Sequence, residues 1–196
     1  MEAHTFSRIV AFFIDIILLS LLLSLLTFWI PTSKSYKEAL ENENTIMEKY
    51  RDNKINSSEF LNQYFENYYV KDKENIITSV ISIVLSLGYF GTFAFYNNGQ
   101  TLGKKLMKIK VSTVDGKNPG HLSLVIRSLI INSIFTSILS CILILFITKN
   151  QYIYTIGILQ VLQSFIMLIS LLMIAFSKGK RGLHDLLTRT KVIQCE

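Results

Sequence analysis

Apolar and polar positions in this chain fall into long blocks. Four stretches, 9–30, 76–96, 122–147 and 152–176, are each apolar over about 20 residues or more, the length that crosses a hydrocarbon core about 30 Å thick. The pattern predicts four transmembrane helices. The first resists a signal-peptide reading: its apolar run is long, Arg8 is the basic residue before it, and no small-residue cleavage pattern follows ahead of Trp29 and Pro31. It is read as a retained helix with Phe28 and Trp29 in an interfacial aromatic belt.

The polar intervals carry patterns of their own. In 31–75, Phe60, Leu61, Tyr64, Phe65, Tyr68 and Tyr69 recur every three to four residues after Ser57 and Ser58, either of which can cap a helix. With a second, more polar helical stretch over 35–52, this predicts a helical hairpin over the outer mouth, its aromatic face docked on lipid headgroups or on the bundle. Between the second and third blocks, Asn98-Gly99 and Asp115-Gly116 are turn signals, and LMKIKV between them alternates as a strand does. TKVIQ near the C-terminus has similar β character and is a pairing partner for it. The expected fold is an all-α membrane protein: one domain over 1–196, four transmembrane helices, an extracytoplasmic helical insertion at 31–75 and a small β-containing cytoplasmic loop.

Composition agrees. Half of the 196 residues are hydrophobic and mean hydropathy is +0.39, too apolar for an ordinary soluble domain. The net charge of +6 is carried between and after the apolar blocks, where lysines face anionic lipid rather than nucleic acid. Residues 97–121 hold five lysines against Asp115, and 177–196 hold five basic residues against Asp185 and Glu196, while 31–75 hold seven basic and nine acidic residues. The positive-inside rule then puts both termini and the 97–121 loop in the cytoplasm, in a multi-pass protein of the cell membrane.

Candidate chemistry is sparse. Cys141 and Cys195 are too few for a zinc site or a disulfide framework. GQTLGKK has three residues between its glycines and no Ser or Thr after the lysine, so it fails as a phosphate loop and reads as glycine turns with Lys104, Lys105 and Lys108 at the lipid surface. His184-Asp185 lacks the further histidines and carboxylates of a metal phosphohydrolase. No cofactor, metal site or enzyme activity is expected.

The anomaly is Asp15, the one acidic residue in the four blocks. A charged aspartate near a membrane helix centre costs about 2.5 to 3.5 kcal/mol and normally faces a partner, protein or water. Arg8 lies seven residues away, about 10 Å along the axis, so Arg127, near the start of the third block, is the expected partner. Topology places Arg8, Asp15, Arg127, His184 and Asp185 near one membrane face as a polar cluster, with Lys104 at its rim. Ser20, Ser24, Asn132, Ser133, Gln160 and Gln163 are expected to glue helices together, and Ser86, Gly88 and Gly91 to form a close-packing patch.

RIVAFFID in the first block, GQTLGKKLMKIKVSTVDGKNP after the second, Arg127 in the third and RGLHDLLTRTKVI at the end together resemble the RDD family of small bacterial membrane proteins. On that resemblance Arg8 is the name-giving arginine, Asp15 the first aspartate and Asp185 the second, and 31–75 looks like an insertion outside it. The resemblance implies little about activity, although some members have been proposed as sodium/proton antiporters. Two readings of the cluster stand. In one, Asp15 binds a monovalent cation and a proton in turn, within a homo-oligomer, since four helices are few for such a path. In the other the cluster is static, Arg127 neutralising Asp15 and Arg8 meeting Asp185, in a non-catalytic accessory or scaffold protein.

Overall fold

A computed structural model describes residues 2–177 and 179–195 of the chain; Lys178 and Glu196, both counted in the charge of the C-terminal tail, lie outside the described residues. Three helices are long and apolar enough to cross a membrane: α1 (Thr5–Thr27), the continuous stretch Ile76–Tyr96, and α9 (Lys149–Phe176). At 1.5 Å per residue the 23-residue α1 is about 34 Å long, enough to span. Their flanks are unfit for water: Leu25 in α1 and Phe165 in α9 are 69% and 58% exposed, as side chains facing lipid are.

The third expected span is broken. Residues 121–146 form α7 (His121–Ile131) and α8 (Ile134–Phe146), bent by 71° at the two residues between them, of which Ser133 is left-handed at φ 54°. Two unwound residues free backbone groups that lipid cannot satisfy, and side chains take them up: Gln163 of α9 donates to the Ile130 carbonyl at 2.8 Å, and Thr136 to that of Ser133 at 2.7 Å. Taken together the pair still runs end to end. His121 lies against Thr92 and Phe95, whereas Ile144 packs with Tyr152 and Tyr69 at the other end of the bundle.

Ile76–Tyr96 divides into α4 (Ile76–Leu87), a π-helical segment Gly88–Phe93, and the single turn α5 (Ala94–Tyr96). The wider turn buries Tyr89, Phe90 and Gly91. A Cβ on Gly91 would come within 2.9 Å of Val125 of α7, so this glycine is a packing residue, whereas one on Gly88 would meet open space.

At one end of the bundle, α2 (Lys34–Arg51) and α3 (Ser57–Glu74) form the expected hairpin. Asn56, rather than Ser57 or Ser58, caps α3, its side chain accepting from Glu59 N at 2.9 Å while Glu59 accepts from Asn56 N at 3.2 Å. The hairpin is held by Lys71–Glu43 at 2.6 Å and by Asn67 donating to the Ala39 carbonyl at 2.8 Å. Its aromatic face splits. Phe60 stacks between Tyr50 and Tyr64, and Tyr69 lies edge-on to Tyr152 of α9 with centroids 5.5 Å apart, docking the hairpin on the bundle.

At the opposite end, β1 (Ile109–Thr113) pairs antiparallel with β2 (Thr190–Gln194), Val111 opposite Val192. The pairing anticipated from LMKIKV and TKVIQ forms, displaced at its start because Leu106 closes a short helix, α6 (Leu102–Leu106). The glycine-turn reading of GQTLGKK holds at Gly99, which stands in a turn at φ 84°, and is corrected at Gly103, which lies within α6: Thr101 caps that helix, accepting from Lys104 N at 3.4 Å. The N-terminus joins the sheet through Ala3 N, 3.1 Å from the Val192 carbonyl. Ala3, Ala11, Ile109, Val111 and Val192 make the small core between sheet and helices.

Candidate functional site: two aspartate nodes beneath the sheet

Asp15 faces inward from α1 and is 1% exposed. Arg127 does not meet it. Three donors do: the Tyr89 hydroxyl at 2.6 Å and Gly103 N at 2.8 Å to Oδ1, and the Thr101 hydroxyl at 2.6 Å to Oδ2. The Tyr89 oxygen accepts from Leu102 N at 3.0 Å and that of Thr101 from Lys104 N, which orients both hydroxyl protons toward the carboxylate. Close approach of α6 to α1 makes this geometry. A Cβ on Gly103 would sit 2.2 Å from the Ala11 carbonyl oxygen and 2.7 Å from Asp15 Oδ1, so a glycine is required where the amide reaches the carboxylate.

Arg127 turns instead to Asp185, binding Oδ1, and donates to Thr190 Oγ1 of β2 at 2.9 Å. Asp185 stands in the short helix α10 (Leu183–Leu187) and is fully buried. Its Oδ2 accepts from Gly182 N at 3.1 Å and lies 3.3 Å from His184 Nε2 and 3.7 Å from the Arg8 guanidinium. Arg8 also donates to the carbonyls of Lys180 at 2.5 Å and Val192 at 3.1 Å, tying α1 to the C-terminal segment. His184 Nδ1 is 2.8 Å from Ser170 Oγ of α9, and that oxygen accepts from Leu183 N at 3.2 Å. An ionised Asp185 can only accept, so the proton of the neutral imidazole sits on Nε2, toward Asp185, and Nδ1 accepts from the serine hydroxyl.

The electrostatics follow from this crowding. Burial alone would push the Asp185 carboxyl up, but the Arg127 guanidinium and then His184 outweigh it and hold it well below the usual carboxylate range. Burial, then the charge of Arg127, lowers His184 below the ordinary imidazole range, so it is neutral near pH 7. Lys104, half-buried between the two nodes, is brought down to about 8 by burial and then by Arg127, against the opposing pull of Asp15 and Asp185. Lys105 and Lys108 are exposed at the same end.

The cluster expected from sequence therefore exists as two adjoining nodes. Arg8, Arg127, His184 and Asp185 share one, and Asp15 is the centre of the other. Tyr89, Thr101, Gly103, Ser170 and Thr190 were missed. Thr101 alone left a local signal, a capping residue ahead of LGKK; Tyr89 looked like one aromatic among many in an apolar run. Among the helix-bridging polar residues, Gln160 and Gln163 do tie helices together, to Tyr68 and Ile130, whereas Ser20 bonds the Ile17 carbonyl of its own helix. Among the described residues no group of three or more His, Cys, Asp or Glu could hold a metal ion.

An apolar helical bundle with buried arginines and aspartates knitting its chain ends to a two-stranded sheet defines a class of multi-pass membrane protein. Within it, the model of the RDD family matches residues 2–189, and the chain belongs to that family. The matched range runs through the 31–75 hairpin. No curated protein and no solved structure matches the chain.

Proposed function

We propose that this protein is a non-catalytic membrane accessory or scaffold module in which the Arg/Asp nodes are structural and the α2–α3 hairpin is the part offered to partners. The observation that carries this reading is the closure of Asp15: its three contacts are all donors, two of them hydroxyls oriented by a second hydrogen bond and the third a backbone amide, and neither described cavity includes it in its lining. A carboxylate that exchanges ions needs access from one face and then the other; this one is enclosed by α1, α6 and the π-helical segment. We place the protein in the cell membrane with four crossings, α7 and α8 counted as one, with both termini and the lysine-rich sheet end cytoplasmic and the hairpin outside.

The competing reading is cation/proton exchange through Asp15, favoured by the presence of an intramembrane carboxylate. Proteoliposomes holding a pH dye decide between them. On the structural reading, sodium or potassium added to tight vesicles produces no pH change beyond that of empty vesicles, and Asp15→Asn lowers thermal stability. A cation-dependent pH change that Asp15→Asn abolishes in folded protein would overturn it.

A further inference from the structure

We propose that the cavity at the hairpin end of the bundle, where Asp72 meets a wall of hydroxyls, binds the ammonium group of a small polar amine. The cavity measures about 320 Å³ and lies where α1, α3, α4, α8 and α9 converge. Six serine and threonine side chains of α4 and α8 line it, with the amides of Asn75 and Gln160; Asp72 is its one carboxylate, and no lysine, arginine or histidine borders it. The wall is thus rich in acceptors and carries one negative charge.

Of the two half-buried carboxylates of the hairpin, Glu43 and Asp72, Asp72 is the one without a basic partner among the described residues. Glu43 is paired with Lys71 and Glu66 with Lys149, but no cationic side chain lies within 4.0 Å of Asp72 among the described residues. Its position is built rather than incidental. The buried Tyr152 hydroxyl donates to Oδ2 at 2.7 Å, and Ser140 lies 2.7 Å from the same hydroxyl, so the carboxylate is aimed by two side chains of the bundle. A partly desolvated, unpaired carboxylate is costly, and a cation that seats against it relieves that cost.

Size selects among cations. At about 30 Å³ per water the volume equals roughly ten water molecules, too wide for wall oxygens to surround a bare alkali ion. A primary ammonium on a short carbon chain fits better. Its three N–H groups need acceptors, which carboxylate and hydroxyl oxygens supply, and Leu23, Ile156 and Leu159 offer apolar surface to the methylenes. The same chemistry is available from a free amine or from the ethanolamine headgroup of a lipid. This site shares no residue with the aspartate nodes and is independent of the function proposed for them.

Ethanolamine is the probe, titrated against full-length protein in detergent by calorimetry and by thermal unfolding, with ethylene glycol and sodium chloride as controls. Ethanolamine should bind and protect while the diol and the salt at equal concentration do not. Asp72→Asn should weaken binding by about tenfold or more, the loss expected when a charged partner becomes neutral. Ser82→Leu, which fills the cavity and leaves Asp72 intact, should do the same and decides the matter if Asp72→Asn does not fold. Nanodiscs separate the sources. If phosphatidylethanolamine discs, unlike phosphatidylcholine discs, suppress binding of added ethanolamine, the headgroup is the occupant; equal binding in both identifies a free amine. Equal protection by ethylene glycol or sodium chloride, or unaltered binding in both variants, would overturn the proposal.

Discussion

At the scale of single residues, Asp185 does most to join distant parts of the chain. Its carboxylate is shared by Arg8 of α1, Arg127 of α7 and His184 beside it. Asp185→Asn leaves two buried guanidiniums short of their counter-charge and should cost about 3 to 5 kcal/mol, read as a large fall in unfolding temperature in detergent. Stability should rise with pH in two separate windows. Asp185 and His184 are both lowered on folding, so the unfolded chain binds more protons as pH falls: stability should drop first below about 6.5, as unfolded histidine protonates, and further below about 4. Lys104 is also lowered, to about 8. Between about 8 and 10 the unfolded lysine keeps a proton that the folded one has released, so stability should rise with pH there, and Lys104→Met should flatten that rise. A stability profile that falls across this alkaline window in the native protein and is unaffected by the substitution would refute this account of Lys104. The presence of these charged residues in apolar surroundings was plain from sequence. Their partners were not, because Arg127 could reach either aspartate from its place in the chain, and only the packing of α10 and β2 beside α7 chooses Asp185.

At the scale of elements, the break between α7 and α8 and the approach of α6 to α1 shape the site. Ser133 holds a left-handed conformation that glycine adopts without strain. Ser133→Gly should therefore be neutral or stabilising by about 1 kcal/mol, and Ser133→Val, β-branched at positive φ, should destabilise clearly. Both are measurable by thermal unfolding. If valine proved as stable as serine, the break would not be the conformation the protein uses. Gln163→Leu should remove the bond that repairs the break, at a cost of about 1 kcal/mol. The interruption was hidden because residues 122–147 hold neither Pro nor Gly; Asn132-Ser133 was visible, but both residue types also serve inside membrane helices. Gly103→Ala is the corresponding test at α6. A methyl group 2.2 Å from the Ala11 carbonyl must push the helices apart, lengthening the amide contact to Asp15 and lowering stability more than alanine's helix propensity can restore.

At the scale of the whole molecule, the bundle carries two polar ends of different construction. The sheet end is cross-tied by buried ion pairs and strand pairing from α1, α7 and the C-terminal segment. The hairpin end rests on the exposed Lys149–Glu66 pair, which solvent weakens, and on the few contacts that Tyr152 makes with Asp72 and Tyr69. Amides of β1 and β2 should accordingly exchange hydrogen more slowly than those of α2, in detergent or nanodiscs. Faster exchange in the sheet would mean that the aspartate nodes do not hold that end closed.

The sequence by itself determined the membrane environment, the long apolar helices, the hairpin between the first two, the strand pair and the residues whose charge had to be reconciled with burial. Those properties follow from local periodicity and from the cost of placing charge in hydrocarbon, both written in the order of residues. Tertiary structure alone decided which donor meets which carboxylate, that the third apolar block bends, and that Asp72 stands without a basic partner beside a cavity. Each of these depends on helix faces brought together from distant positions, at separations of tenths of an ångström that no spacing along the chain encodes.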